Sequence, residues 1–242
     1  MSVWVVAPSA RPAAEVDKRF DLWRAQGYKV ALWRDVGSEP VKADEVFLDV
    51  TGPYPGYAVT ANTMLLSLLQ SDPSADWFVV AADDIDPDLA HTADRIAAQC
   101  SQDFRGTLGV MQPIGDRWGE FEPCAVAAYP EGRRAYIERV AGSPWIGREF
   151  AERAYGGRGP YWPEYRHMFV DEELQAVAEK LGVFRQGRDL IHYHDHWSRR
   201  RGGNPADMPA FLAVANSPEH WKASKAIFEA RKAAGFPGSE LL

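Results

Sequence analysis

The segment Trp77-Phe78-Val79-Val80-Ala81-Ala82-Asp83-Asp84-Ile85-Asp86-Pro87-Asp88 runs an apolar stretch straight into a group of carboxylates. Carboxylates spaced i and i+2 at the end of a buried strand can hold a hard divalent cation that bridges phosphates. In open parallel sheets, ligands bind beyond the carboxyl ends of the strands. Part of the cluster has a plainer reading: Asp86 can cap a helix with Pro87 in its first turn, and Asp88 can favour the helix dipole. Capping does not account for Asp83 and Asp84, where repulsion and desolvation cost stability. The spacing points to Asp84 and Asp86 as metal ligands. A second group is Ile191-His192-Tyr193-His194-Asp195-His196-Trp197. On an extended segment its alternate residues share one face. Neutral imidazoles ligate transition metals, so His192 or His194 is a candidate ligand. A histidine in the site favours Mn2+ over the oxygen-seeking Mg2+. Ordinary surface or stacking roles remain open for these histidines.

A third group is Phe169-Val170-Asp171-Glu172-Glu173-Leu174. By spacing alone, Asp171 reads first as an N-cap, with Glu172 and Glu173 serving the dipole. Its alternative is a general base that takes a proton from a hydroxyl. Other signatures are missing. There is no G-x-x-x-x-G-K-[ST], G-x-G-x-x-G, G-x-S-x-G or H-E-x-x-H in the sequence. The loop Gly156-Gly157-Arg158-Gly159-Pro160 matches no phosphate motif, and the run Arg199-Arg200-Arg201 reads as a solvated surface or a phosphate contact.

These groups need elements to carry them. The first 112 residues alternate short apolar runs with amphipathic stretches. Strands are expected at Val3–Ala7, Lys29–Trp33, Val46–Val50, Trp77–Ala82 and Leu108–Gln112. Helices are expected at Glu15–Gln26, which stops at Gly27, and at Tyr57–Gln70 and Leu89–Gln99. This alternation implies βαβ units: a three-layer α/β fold, mainly parallel in its sheet, with helices on both faces. After Pro113 the periodicity weakens. A helix through Leu174, Val177, Ala178 and Leu181, a strand at Asp189–Tyr193 and a tail helix at Ser217–Ala234 are the clear elements there. The organisation expected is residues 1–112 as a first α/β half, residues 113–201 as an elaboration on the same sheet, and residues 202–242 as a tail with a helix.

Composition narrows the function classes. The 242 residues carry a net charge of −7. The first 100 hold 8 Lys and Arg against 15 Asp and Glu, and the rest hold 19 of each, so a uniformly basic nucleic-acid binder is excluded. An acidic first half and an Arg-rich second half leave room for a metal and an anionic ligand. The longest apolar runs fall far short of the roughly 20 residues of a membrane span. The N-terminus lacks the basic and long apolar regions of a signal peptide. Cys100 and Cys124 form no C-x-x-C and read as buried thiols. The expected compartment is the cytoplasm, that of a phage-infected host included.

Taken together, these features resemble a nucleotide-sugar glycosyltransferase of the GT-A type. Asp84-Ile85-Asp86 looks like the D-x-D motif at the end of the fourth strand. Gly56-Tyr57-Ala58-Val59-Thr60-Ala61-Asn62 resembles the segment in which a Gly and an Asn approach the nucleotide. Phe169-Val170-Asp171-Glu172-Glu173-Leu174 is similar to the E-D-x-D-L stretch of inverting members, with Val170 in place of its Glu. His192-Tyr193-His194 falls where many members supply a late histidine. The resemblance implies transfer of a sugar from a nucleoside-diphosphate sugar, a UDP-sugar above others, to an acceptor hydroxyl with inversion. Asp84, Asp86 and either His194 or His192 would hold Mn2+ or Mg2+, and Asp171 would act as the base. The nucleotide would lie against Ala7, Pro8, Ser9, Arg34, Asp35, Asn62 and Asp83. Trp145, Trp162 and Tyr165 would wall the acceptor, with Arg148 or Arg158 on a phosphate. The acceptor would be a glycan, a small metabolite or a modified DNA base, with no membrane insertion. Two other classes stay open: a metal-dependent hydrolase built on His192, His194 and His196 with the acid cluster, and a non-catalytic nucleotide-binding module.

Overall fold

The computed structural model describes residues 2–49, 54–115, 142–195 and 217–241. Strand β1 (Ser2–Pro8) lies inside the sheet, and its period of two sorts its side chains between two cores. Val3, Val5 and Ala7 join Val16, Phe20 and Trp23 of helix α1 (Ala13–Ala25) and Ile96, Ala97 and Cys100 of α3 (Ala93–Phe104). Trp4 and Val6 face the other way, toward Ala61, Met64, Leu65 and Leu68 of α2 (Tyr57–Ser71). That second core continues through Phe150 of α4 (Arg148–Arg153), Leu174 and Val177 of α5 (Val170–Lys180) and Phe228 of α6 (Pro218–Ala233). Helices α1, α2 and α3 carry no side-chain cap, so burial of their apolar faces holds them in place. Each buried Val, Leu or Phe contributes roughly 1.5–3 kcal/mol relative to exposure. The tail helix does have its cap: the Ser217 hydroxyl accepts from the His220 amide at 3.3 Å, and Pro218 fills the first turn.

The remaining strands are β2 (Lys29–Asp35), β3 (Glu45–Asp49), β4 (Ala75–Val80), β5 (Ile85–Asp86), β6 (Val110–Gly115), β7 (Trp145–Gly147) and β8 (Phe184–His194). The sheet order is β3-β2-β1-β4-β7-β6-β8-β5. Strands β3, β2, β1 and β4 are parallel, and β6 pairs β8 in parallel. The antiparallel strand β7 joins β4 to β6, and β5 closes antiparallel on β8. The layered α/β architecture matches the sequence expectation. Strands β5 and β7 and helix α4 were not anticipated, because two- and three-residue strands carry no readable period. Helix α3 begins at Ala93, four residues later than Leu89. The Asp88 carboxylate accepts from the Ala90 amide at 2.7 Å and from the Ile191 amide at 2.9 Å, which makes residues 88–91 a turn against β8.

Two residues expected around an acceptor serve the fold instead. Trp145 is fully buried on β7, edge-on to Tyr28 at 5.6 Å. Arg148 donates to the backbone carbonyls of Ala75 (2.6 Å), Asp72 (2.7 Å) and Leu69 (3.2 Å), capping the end of α2 and the start of β4. Charge-assisted bonds of this kind contribute about 1.5–3 kcal/mol each before solvent exposure is discounted. Arg148→Ala should therefore lower the urea-unfolding free energy by about 2 kcal/mol and leave nucleotide affinity unchanged. A loss of nucleotide affinity without a loss of stability would return Arg148 to the ligand.

Candidate active site

The parallel strands β1, β2 and β4 end on one side of the sheet. Chain connections leave β1 with β2 on one flank and β4 on the other, a topological switch point. A cavity of about 230 Å³ opens there. Its floor is Pro8, Ser9, Ala10 and Ala82; its walls are Trp33, Tyr54, Tyr57 and His167; its acids are Asp35 and Asp83. Flat aromatic faces over a backbone floor suit a planar ring, and the two acids suit ring or sugar donors.

Of the residues expected to meet a nucleotide, Pro8, Ser9, Asp35 and Asp83 line this cavity. Ala7 is sealed in the core beneath it. Arg34 is buried and donates to the carbonyls of Ser9 (3.0 Å) and Arg11 (2.8 Å), so it braces the loop after β1 from below. Alternation along β2 explains this: Trp33 and Asp35 face one way and Arg34 the other. Asn62 donates to the Tyr161 carbonyl at 2.7 Å and accepts from the Tyr161 amide at 3.1 Å. It holds the loop over α2 and lies buried. Gly56 is not among the residues that line the cavity. Its φ is +108°, and a Cβ there would meet the Arg166 backbone at 3.0 Å. That close approach lets the Tyr57 amide donate to the Arg166 carbonyl at 2.7 Å, which brings His167 into the cavity wall.

Asp83 accepts from the Ser9 hydroxyl at 2.7 Å and pairs with the Arg11 guanidinium at 3.0 Å. Burial lifts its carboxyl above the ordinary range, against the pull of Arg11 and Ser9. Asp84 is buried, and its Oδ1 lies 3.1 Å from His194 Nε2. Its carbonyl accepts from the Asp195 amide at 2.8 Å. The third member of the acid cluster takes a different partner. Asp86 pairs with Arg19 at 2.6 Å in a neighbouring cleft that Arg11, Lys18, Asp83 and Asp195 also line. His192 also departs from the expectation. It is fully buried, with Nδ1 on the Ser143 hydroxyl at 3.1 Å and its ring edge-on to Trp23 at 5.2 Å. Burial holds its pKa down at about 4, so it is a neutral core histidine. His196, Cys124 and Arg199–Arg201 lie outside the described residues.

Asp171 is not an N-cap. Helix α5 starts at Val170, Phe169 occupies the cap position at φ +67°, and no side chain caps the end. The Oδ1 atom of Asp171 is sealed from solvent with no hydrogen-bond partner. Burial pushes its carboxyl well above the ordinary value, Glu172 adds to the push, and His194 opposes it. Asp171 and Asp84 both act electrostatically on the Tyr57 hydroxyl, and Asp84 acts on His167. Asp84, His194, His167 and Asp171 thus share one electrostatic neighbourhood beside the cavity. The expected aromatic walls do not. Tyr165 is buried and donates to Glu173 at 2.7 Å, and Trp162 lies under the Arg231 guanidinium at 3.6 Å.

Among the described residues, no three His, Cys, Asp or Glu side chains are grouped to hold a metal ion. Asp84 and His194 are a carboxylate and an imidazole in contact. Such a pair fits a cation of the Mn2+ or Mg2+ type, which takes few protein ligands and completes its shell with substrate phosphates and water. Tyr54, Tyr57 and His167 escaped sequence reasoning because only the chain's return to α2 brings them together; no local spacing marks them.

No family model matches the sequence, and no curated protein matches it. Solved structures do. Glucosyl-3-phosphoglycerate synthase from Mycobacterium tuberculosis, solved with Mn2+, UDP-glucose and glycerol 3-phosphate, matches over 95% of this chain and 79% of its own at 12% identity and a TM-score of 0.52. The protein A197 from STIV matches over 82% of this chain and 87% of its own, at 12% identity and a TM-score of 0.46. A glycosyltransferase involved in glycosylation of the major capsid of PBCV-1 matches over 82% of this chain and 96% of its own, at 11% identity and 0.41. The fold assignment rests on the first of these, joined to the switch-point cavity at the ends of β1, β2 and β4. The chain has the GT-A glycosyltransferase fold.

Proposed function

We propose that this chain moves a sugar from a nucleoside-diphosphate sugar, a UDP-sugar above others, to an acceptor hydroxyl. The observation that carries the reading is the placement of the Asp84–His194 pair and of the Asp171 carboxylate, whose Oδ1 is buried without a partner, beside the switch-point cavity. The complex of the M. tuberculosis enzyme with Mn2+ and UDP-glucose supports the choice of donor. Trp33, Tyr54 and Tyr57 would enclose the base, and Asp35 and Asp83 would accept from base or ribose. Asp84 and His194 would hold Mn2+ or Mg2+, which supplies charge stabilisation for a departing diphosphate. Asp171 would take the proton of the acceptor hydroxyl as that oxygen bonds to the anomeric carbon. The bond from that carbon to the diphosphate oxygen breaks, and the nucleoside diphosphate leaves with the electron pair. A single displacement of this kind inverts the anomeric centre. Glycans, small metabolites and modified DNA bases are the acceptor classes to be screened. No helix among the described residues is long and apolar enough to cross a membrane.

The test is thermal stabilisation by a panel of nucleoside diphosphates and nucleotide sugars, with and without Mn2+, beside the variant Asp84→Ala. A ligand at a hundred times its dissociation constant stabilises by about 2.7 kcal/mol. The expected result is a shift with a uridine nucleotide that needs Mn2+ and disappears in Asp84→Ala. No shift with any nucleotide would overturn the reading. A shift with metal alone, and no nucleotide response, would favour a metal-dependent hydrolase.

A further inference from the structure

The side chains of Asp84, Ile85 and Asp86 meet different partners in the folded chain. Asp84 meets His194, Ile85 is buried, and Asp86 turns to α1. There the guanidinium of Arg19 spans two strands. Its Nη1 lies 2.6 Å from Asp86 Oδ1 on β5, and its Nη2 lies 3.2 Å from Asp195 Oδ2 just past β8. One turn along the same helix face, Trp23 Nε1 donates to the Ile85 carbonyl at 3.0 Å. Across the pairing, Ile85 stands opposite His194 and Asp86 opposite Tyr193. The Asp195 amide bonds the Asp84 carbonyl. Helix α1 therefore grips both chain segments at the residues that flank Asp84 and His194.

We propose that Arg19 is a positioning residue for the Asp84–His194 pair, and that Asp86 is its anchor and not a metal ligand. This rests on the metal reading above. The reason for an arginine is geometric. Asp86 and Asp195 carry like charge side by side, and a planar fork can donate to both at once, whereas an ammonium is a point charge. The side chains of Arg19, Asp86 and Asp195 are about 20–25% exposed, so the bridge is partly screened and its main effect is on geometry. Groups that orient a metal's ligands typically change its affinity by about 10–100-fold when removed.

The two roles for Asp86 predict opposite responses. If Asp86 anchors Arg19, then Arg19→Met weakens metal binding. If Asp86 is a ligand, Arg19→Met frees it and strengthens or preserves metal binding. The experiment titrates Mn2+ into the protein with UDP present and reads free Mn2+ by electron paramagnetic resonance. UDP binding without metal and melting temperature are measured beside it. Arg19→Met and Asp86→Asn should each weaken Mn2+ binding by about 10–100-fold. The double variant should be no weaker than Arg19→Met alone, because that change already removes the contact with Asp86. Arg19→Lys should fall between wild type and Arg19→Met, and metal-free UDP binding should not move. Asp195→Asn, which removes the other half of the bridge, serves where Arg19→Met fails to fold. Unchanged or tighter Mn2+ binding in Arg19→Met overturns the proposal while leaving the metal reading intact. A wild type that binds no Mn2+ in the presence of UDP overturns the metal reading and this proposal with it.

Discussion

Asp171→Asn is expected to lower turnover by about 10²–10⁴-fold, the usual contribution of a positioned general base, while leaving the protein as stable as wild type or more so. The two effects have one cause. The Oδ1 atom of Asp171 is buried without a hydrogen-bond partner, and an unpartnered buried charge is costly. Burial raises its pKa well above the ordinary 3.8, with Glu172 adding and His194 opposing. The sign of the linkage follows. A carboxyl whose pKa is higher in the folded state contributes stability below the ordinary value, and that contribution is lost as pH rises toward the raised one. The wild type therefore loses stability relative to Asp171→Asn as pH rises from acid toward neutral. Urea unfolding of both proteins across that range measures it. The same carboxyl must be ionised to take a proton, so the acid limb of kcat/KM should lie above the ordinary carboxylate range and vanish in the variant. Turnover of Asp171→Asn within about tenfold of wild type would remove Asp171 from the chemistry.

The largest loss of stability is expected at Glu173, two residues further along α5. Glu173 is 1% exposed. It accepts from the hydroxyls of Tyr155 and Tyr165, each at 2.7 Å, and from Arg231 Nε and Nη2 at 2.8 and 2.7 Å. Arg231 belongs to α6 and lies flat on Trp162 at 3.6 Å, so the network ties the tail helix to α5 and to the loop before it. Glu173→Ala leaves two buried hydroxyls without partners and a buried guanidinium with only the Pro237 carbonyl at 3.2 Å. Breaking a buried pair from one side costs about 3–5 kcal/mol. A urea midpoint for Glu173→Ala close to that of wild type would show that water replaces the carboxylate. Arg231→Ala should cost a similar amount, and the double variant should be far less than additive, because each single change destroys the same contact.

Both residues belong to one acidic run, Asp171-Glu172-Glu173, which in sequence reads first as an N-cap followed by two dipole-serving acids. The helix was readable there, from Leu174, Val177 and Ala178. The division of labour among the acids was not, because it depends on partners far along the chain. Arg231 is 58 residues away in sequence. The same holds in the aspartate cluster. A strand ending in carboxylates was legible from residues 77–88. That Asp83 meets Ser9, Asp84 meets His194 and Asp86 meets Arg19 depends on three different chain crossings.

The sequence by itself determined the layered architecture, the strand that delivers the acids and the tail helix. Each follows from a local pattern: apolar runs bury as strands, apolar stripes at helical spacing bury as faces, and a proline fits a helix's first turn. Only the tertiary structure decided which candidate faces the cavity. Trp145 and Tyr165 lie in the core, His192 is sealed against Trp23, and Arg148 serves three carbonyls. Tyr54, Tyr57 and His167 line the cavity instead, because the Arg166 carbonyl docks on the first turn of α2. Side-chain type reports what a residue can do. Its neighbours are set by strand pairing and chain return, where burial of the whole core outweighs the preference of any one polar group.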